Sequence, residues 1–221
     1  FTDEVHFSSS KIINSNSNVF NNDQIKYFKN AKKFFNIQYL KKILKKIEKL
    51  KVLVIGETII DQYNFCEALG KSGKDPFLTF EPKTSHDYLG GAAAIANNVA
   101  VFSKKVNFVS MLGEKNEYKK FIKNNLKKNI NSFFLNKKNS PTILKKRYLD
   151  SINQNKVFGL YSINQSMLTK LEIIKLNKVL KTKIKNADLI IVSDYGHGFI
   201  SNETSDLLIK SNQKLFLNTQ I

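Results

Sequence analysis

Four short stretches carry residue types able to do chemistry. In Tyr88–Phe102 (YLGGAAAIANNVAVF), Gly90 and Gly91 stand directly before a run of small and apolar residues. A glycine pair opens backbone conformations closed to other residues and leaves no side chain between chain and ligand. Ala92, Ala93 and Ala94 are strong helix formers. The pair therefore predicts a turn into a helix whose first N–H groups face something polar or anionic; a plain buried helix entered through a glycine turn would read the same. Asp61 lies near the carboxyl end of the apolar run Lys51–Gly56 (KVLVIG). A carboxylate there either accepts hydrogen bonds from two neighbouring hydroxyls of a polyol, or is a loop acid or helix cap. Lys145, Lys146 and Arg147 form a basic run that either faces a phosphate or keeps an edge strand soluble. Finally, Asp194-Tyr195-Gly196-His197-Gly198 follows the apolar run Ala187–Ser193, again setting a carboxylate and glycines at a strand's carboxyl end. His197 has no partner at metal-ligand spacing and reads as a loop histidine.

The elements that must position these residues alternate in type. Lys51–Gly56, Val106–Met111, Ile130–Leu135, Ala187–Ser193 and Lys214–Leu217 are short apolar runs of the kind buried in parallel sheets. Between them, helical patterns cover Glu114–Asn129, Met167–Lys185 and Ser201–Lys210, besides the helix after Gly91. This alternation predicts an α/β protein with a mostly parallel sheet, and in open α/β sheets ligands bind beyond the carboxyl ends of the strands. Asn64–Lys83 carries turn signals at Gly70, Gly73 and Pro76 and reads as short strands outside that sheet. Ser140–Asp150 and Lys156–Asn164, joined by Ser151–Gln154, read as a hairpin. Together these regions would form a small lid over Asp61, Gly90 and Gly91. Upstream, Asp23–Leu50 is helical, with Ile37, Leu40, Ile43, Leu44 and Ile47 on one side. Lys41, Lys42, Lys45 and Lys46 cover the other side, which is expected to be solvated. Residues 1–22 are rich in Ser and Asn and read as a tail or linker; Asp3, Glu4 and His6 there are too few to hold a metal.

The chain has 221 residues and a formal net charge of +18. Such a charge usually points to nucleic acid or an acidic surface. Here the lysines are scattered along the whole chain and Arg147 is the only arginine, whereas arginine is the preferred reader of bases and phosphates. Neither a nucleic-acid nor a membrane partner is expected. The single cysteine, Cys66, excludes an intrachain disulfide and fits a reducing cytoplasm. No apolar run reaches the length of a membrane span. The chain begins with Phe1 and ends at Ile221 just after a strand-like run, so a fragment is expected at both ends.

The order VLVIGxxxxDxY, GGAAxxAxNxA, TILKKR and SDYGxG, between about Lys51 and Leu217, resembles the ribokinase-like (PfkB) carbohydrate kinases. Within them it is most similar to the heptose 7-phosphate kinase domain that is often fused to a nucleotidylyltransferase. The resemblance implies a three-layer α/β/α fold with a small β lid, incomplete at the carboxyl end. It also implies transfer of a phosphoryl group from ATP, with Mg²⁺, to a sugar hydroxyl, and homodimerisation through the lid. It carries over Asp61, Gly90 and Gly91 as sugar contacts, Asn98 as a family asparagine, and Lys146 and Arg147 as basic lid residues. Asp194 and Gly196 match the strand-end loop, and Asn218 falls where related kinases begin their nucleotide contacts.

Departures from the family pattern are Ala94 where asparagine is usual, Tyr161 in place of an acidic lid residue, and His197 in place of lysine. The G-A-G-D segment, whose aspartate activates the hydroxyl in the family, is expected beyond Ile221. The expected organisation is a tail at 1–22, resembling the end of an upstream nucleotidylyltransferase domain, a helical linker at 23–50, and the first part of a carbohydrate kinase domain at 51–221. That part would supply the sugar-binding half and be inactive alone. A non-catalytic sugar-binding or regulatory domain retaining the fold is the alternative.

Overall fold

The computed structural model describes residues 20–220. The expected tail and its Asp3, Glu4 and His6 fall outside them, apart from the last residues of the tail. Contacts divide the chain into two compact units, one ending at Lys46 and one beginning at Ile47. The first holds α1 (Asn22–Phe34) and most of α2 (Ile37–Glu48), neither with a buried residue. One helix was expected over Asp23–Leu50, but Asn36 interrupts it: its side chain accepts the Tyr39 N–H at 2.8 Å and starts a second helix. Asn21 caps α1 in the same way, with Gln24 closing a capping box.

The second unit runs β1 (Lys51–Gly56), β2 (Thr58–Lys71), β3 (Leu78–Gly90), α3 (Gly91–Phe102), β4 (Lys105–Gly113), α4 (Lys119–Asn125), β5 (Ile130–Lys137), β6 (Ile143–Asp150), β7 (Lys156–Ser162), α5 (Lys170–Lys185), β8 (Leu189–Asp194), α6 (Asn202–Ile209) and β9 (Lys214–Thr219). Five strands form a wholly parallel sheet in the order β5-β4-β1-β8-β9. Alternation along β1 feeds two cores. Val52 and Val54 pack with Ala92, Ala93 and Ala96 of α3, while Leu53 and Ile55 pack with Leu176 and Leu180 of α5. Helices thus cover both faces, which is why the strands read as continuous apolar runs.

The remaining strands form a second sheet in the order β3-β2-β6-β7. The hairpin β6–β7 is antiparallel as expected, but β6 also pairs in parallel with β2 and is internal. Its basic run therefore does not guard an edge. Asp61 lies inside β2, so it is neither a loop acid nor a helix cap. The helix expected over Glu114–Asn129 shrinks to α4. Asn116 and Tyr118 have left-handed backbones, with φ of 57° and 63°. Glu114 and Glu117 instead accept from the N–H groups of Asn139 and Thr142, tying down the segment between β5 and β6.

Candidate functional site

β2 follows β1 of the main sheet after Glu57 alone and belongs to the lid sheet, which carries Asp61 close to the carboxyl end of β1 in the chain. Successive residues of a strand point to opposite faces, so Asp61, Tyr63 and Phe65 share one face of the lid. Register places Tyr88 of β3 and Lys145 of β6 opposite Asp61, and Arg147 opposite Tyr63. On this face the Arg147 guanidinium donates to Asp61 Oδ1 in an ion pair. It also lies over the rings of Tyr63 and Tyr161, at 5.4 and 6.0 Å. Burial works against the Arg147 charge, but the hydrogen bond and the charge of Asp61 outweigh it and raise its pKa. Asp61, Tyr63, Phe65, Tyr88, Leu149 and Gln154 line a hollow of about 470 Å³. Such a mix of aromatic walls and one oriented carboxylate suits a polyol ligand.

The diglycine closes the other side of Asp61. Gly90 is the extended N-cap of α3, and any Cβ there would overlap Asp61 Oδ2. Gly91 has φ +57°, and a Cβ would strike the Glu57 carbonyl and Ile59. Asp61, Gly90, Gly91 and Arg147 are therefore brought together. The helix start is less open than expected, because the Ala92 N–H donates to Glu57 O at 2.8 Å.

A second group lies at the carboxyl end of β8. Asp194 is buried and its Oδ1 accepts from the Gly196 N–H at 3.0 Å. Glu57, fully buried, accepts from Tyr195 N–H at 2.9 Å and from His197 N–H at 3.1 Å. Burial pushes the Glu57 pKa up, and the Asp194 charge adds to this against the two N–H bonds. Lys137, also buried, donates to the carbonyls of Asn164, Ser166 and His197, while burial depresses its pKa. His197 is a loop residue, as expected, but only 5% exposed. Burial lowers its pKa, helped by the charges of Lys145 and Lys137. The Lys145 charge links this loop electrostatically to the Asp61 face of the lid.

Other candidates fall elsewhere. Lys146, opposite Gln62 in register, points to the reverse face from Arg147. Asn98 is exposed on α3 and lines a second depression with Asp87, Ala94, Asn97 and Phe121, which shares Tyr88 with the Asp61 hollow. Asn218 sits on β9 opposite Ser193, next to the strand that bears Asp194. Sequence reasoning missed Glu57 and Lys137 and gave Tyr63 no role, while Tyr161 stands near the end of the second hairpin strand as expected. The D-x-Y spacing of Asp61 and Tyr63 was the only available signal, since it puts both on one strand face.

The chain matches the family model described as "pfkB family carbohydrate kinase" over residues 49–214. The bifunctional protein HldE of Nitratiruptor sp. is 27% identical over 165 residues, covering 73% of this chain and 34% of that protein. HldE of Helicobacter pylori is 33% identical over 165 residues, covering 74% and 35%. The chain thus spans about a third of the length of these curated relatives. The structure of Arabidopsis thaliana ribokinase complexed with ribose and ATP shares the fold with a TM-score of 0.51 at 20% identity, covering 76% of this chain and 53% of that one.

Proposed function

Because the chain belongs to the pfkB family of carbohydrate kinases, we propose that it supplies the sugar-binding half and lid of an enzyme that phosphorylates a hydroxyl of a sugar or sugar phosphate, of heptose 7-phosphate type, using ATP. The observation that carries this is Asp61, which touches the diglycine on one side and pairs with Arg147 on the other while lining an aromatic-walled hollow. In this reading the Asp61 carboxylate accepts hydrogen bonds from adjacent sugar hydroxyls, which fixes which hydroxyl points at the main sheet. Gly90 and Gly91 let the sugar ring approach the backbone without a side chain intervening. Arg147, held rigid between Tyr63 and Tyr161, receives the substrate's own phosphate, since its planar fork matches phosphate oxygens. The motif likeness to heptose 7-phosphate kinases favours a heptose phosphate, and the ribose and ATP with which the ribokinase structure is complexed favour a nucleotide donor.

ATP would supply the transferred phosphoryl group. Among the described residues no cluster of three or more His, Cys, Asp or Glu could hold a metal. In this reading Mg²⁺ would arrive on the nucleotide phosphates and keep most of its waters. Asp194, at the carboxyl end of β8 with one oxygen accepting the Gly196 N–H, would be the carboxylate that meets it. Asn218, beside that strand end, would meet the nucleotide. Calorimetry of the full-length protein with heptose 7-phosphate tests the proposal. Asp61→Asn is expected to weaken sugar affinity by about tenfold to a hundredfold, the worth of hydrogen bonds to a charged group. Unchanged affinity would remove Asp61 from the site.

A further inference from the structure

Apart from Asp23 and Glu48, the stretch from Asn22 to Lys49 contains no acidic residue, yet it carries nine lysines. At about 100° per residue, α2 divides into two halves. Ile37, Tyr39, Leu40, Ile43, Leu44 and Ile47 occupy one; Lys41, Lys42, Lys45 and Lys46 occupy the other. The apolar half is not a core. Ile37, Leu40 and Leu44 are 67%, 45% and 50% exposed. In α1 the two kinds are mixed: Phe28 and Phe34 stay 44% and 72% exposed opposite Lys26, Lys29 and Lys33, but Lys32 lies within about 40° of Phe28. Aromatic rings flank both helices, Phe20 against Phe28 and Phe35 against Tyr39.

We propose that α2 forms a docking surface for a lipid bilayer containing anionic headgroups, lying in its interface with Leu40 and Leu44 inserted and the lysines at headgroup level. A strongly amphipathic basic helix with aromatic and leucine side chains on its other half has the composition of an interfacial helix. Each lysine near an anionic surface adds attraction that decays within a Debye length. Charge complementarity selects this occupant. A nucleic acid would neutralise the lysines but leave the apolar half in water, and the stretch has no arginine for it. A second copy would bury the apolar half only by bringing two lysine-rich flanks together. The proposal reverses the expectation of a merely solvated lysine face.

The chain has no tryptophan, so Tyr39→Trp places a single reporter in the apolar half. The 221-residue protein is mixed with vesicles of phosphatidylcholine alone or with about 30% phosphatidylglycerol. Co-sedimentation and a blue-shifted emission are expected with the anionic vesicles only. Raising NaCl from about 0.1 to about 0.5 M should weaken binding several-fold. Leu40→Glu with Leu44→Glu, both at exposed positions, should weaken it at least about tenfold, and Lys42→Glu with Lys45→Glu should do the same. The proposal is overturned by absence of vesicle binding, by equal binding of the leucine variant, or by binding of a structured RNA without vesicle binding. A Leu40-dependent dimer that ignores vesicles would overturn it as well.

Discussion

Both ring nitrogens of His197 are buried without a hydrogen-bond partner among the described residues, and burial with the charges of Lys145 and Lys137 holds its pKa below the ordinary 6.5. The folded chain therefore keeps this ring neutral over a pH range in which the unfolded chain protonates it. As pH falls below 6.5 the unfolded state binds the extra proton, so stability present at neutral pH is progressively lost. Glu57 works the other way: its raised pKa makes stability fall as pH rises from 4.5 towards the raised value. Comparing variants separates the two. Thermal melts at about pH 5 and about pH 7.5 should show a smaller acid destabilisation in His197→Leu than in the unsubstituted protein, each unit of pKa depression being worth about 1.4 kcal/mol. Identical pH dependence in both would refute the burial argument. The sequence placed His197 in a loop after a strand and was right about that, but its burial was not legible. The groups that fix the loop, Glu57 and Lys137, act on backbone N–H and carbonyl groups far away in the chain. Backbone groups are identical at every position, so such partners leave no pattern to read.

At the scale of elements, adjacent basic residues on β6 were treated as interchangeable, and strand geometry separates them. The run Lys145-Lys146-Arg147 showed charge but not register, because register comes from the parallel pairing of β6 with β2, more than eighty residues earlier in sequence. Once that pairing is known, Arg147 stands on the Asp61 face and Lys146 on the reverse. Arg147→Ala should weaken binding of a phosphorylated sugar by about tenfold or more while sparing its unphosphorylated counterpart. Lys146→Ala should leave both within about twofold. Titration of the full-length protein with the two sugars distinguishes the positions, and equal losses for the two variants would mean that the lid face is misassigned. The diglycine was legible for the opposite reason. Its first effect is local, since a helix begins at Gly91; the second, the close approach of the Glu57 carbonyl and the Asp61 carboxylate, comes from residues far earlier in the chain and needed the fold.

Across the whole molecule, apolar runs alternating with helical periodicity were enough to predict a mostly parallel sheet, because burial on both sides writes itself into the strands. β9 is the exception. It pairs in parallel with β8, yet every one of its residues is exposed, including Phe216 at 62% and Leu217 at 61%. A parallel strand with apolar side chains on both faces is a sequence made for burial, and at the rim of a sheet it is a template for further pairing. Within the strand itself there is no proline, no bulge and one lysine, Lys214, at its start. The 221-residue chain should therefore self-associate at about 50 µM, and more so as salt screens its large positive charge. Leu217→Lys should shift it towards the monomer, because a charge at mid-edge must be desolvated in any strand-to-strand contact, while the β8 pairing and the far-ultraviolet circular dichroism stay as they were. Light scattering coupled to gel filtration reads the outcome. A monodisperse monomer at that concentration, or association indifferent to Leu217→Lys, would show that the β9 edge is not adhesive.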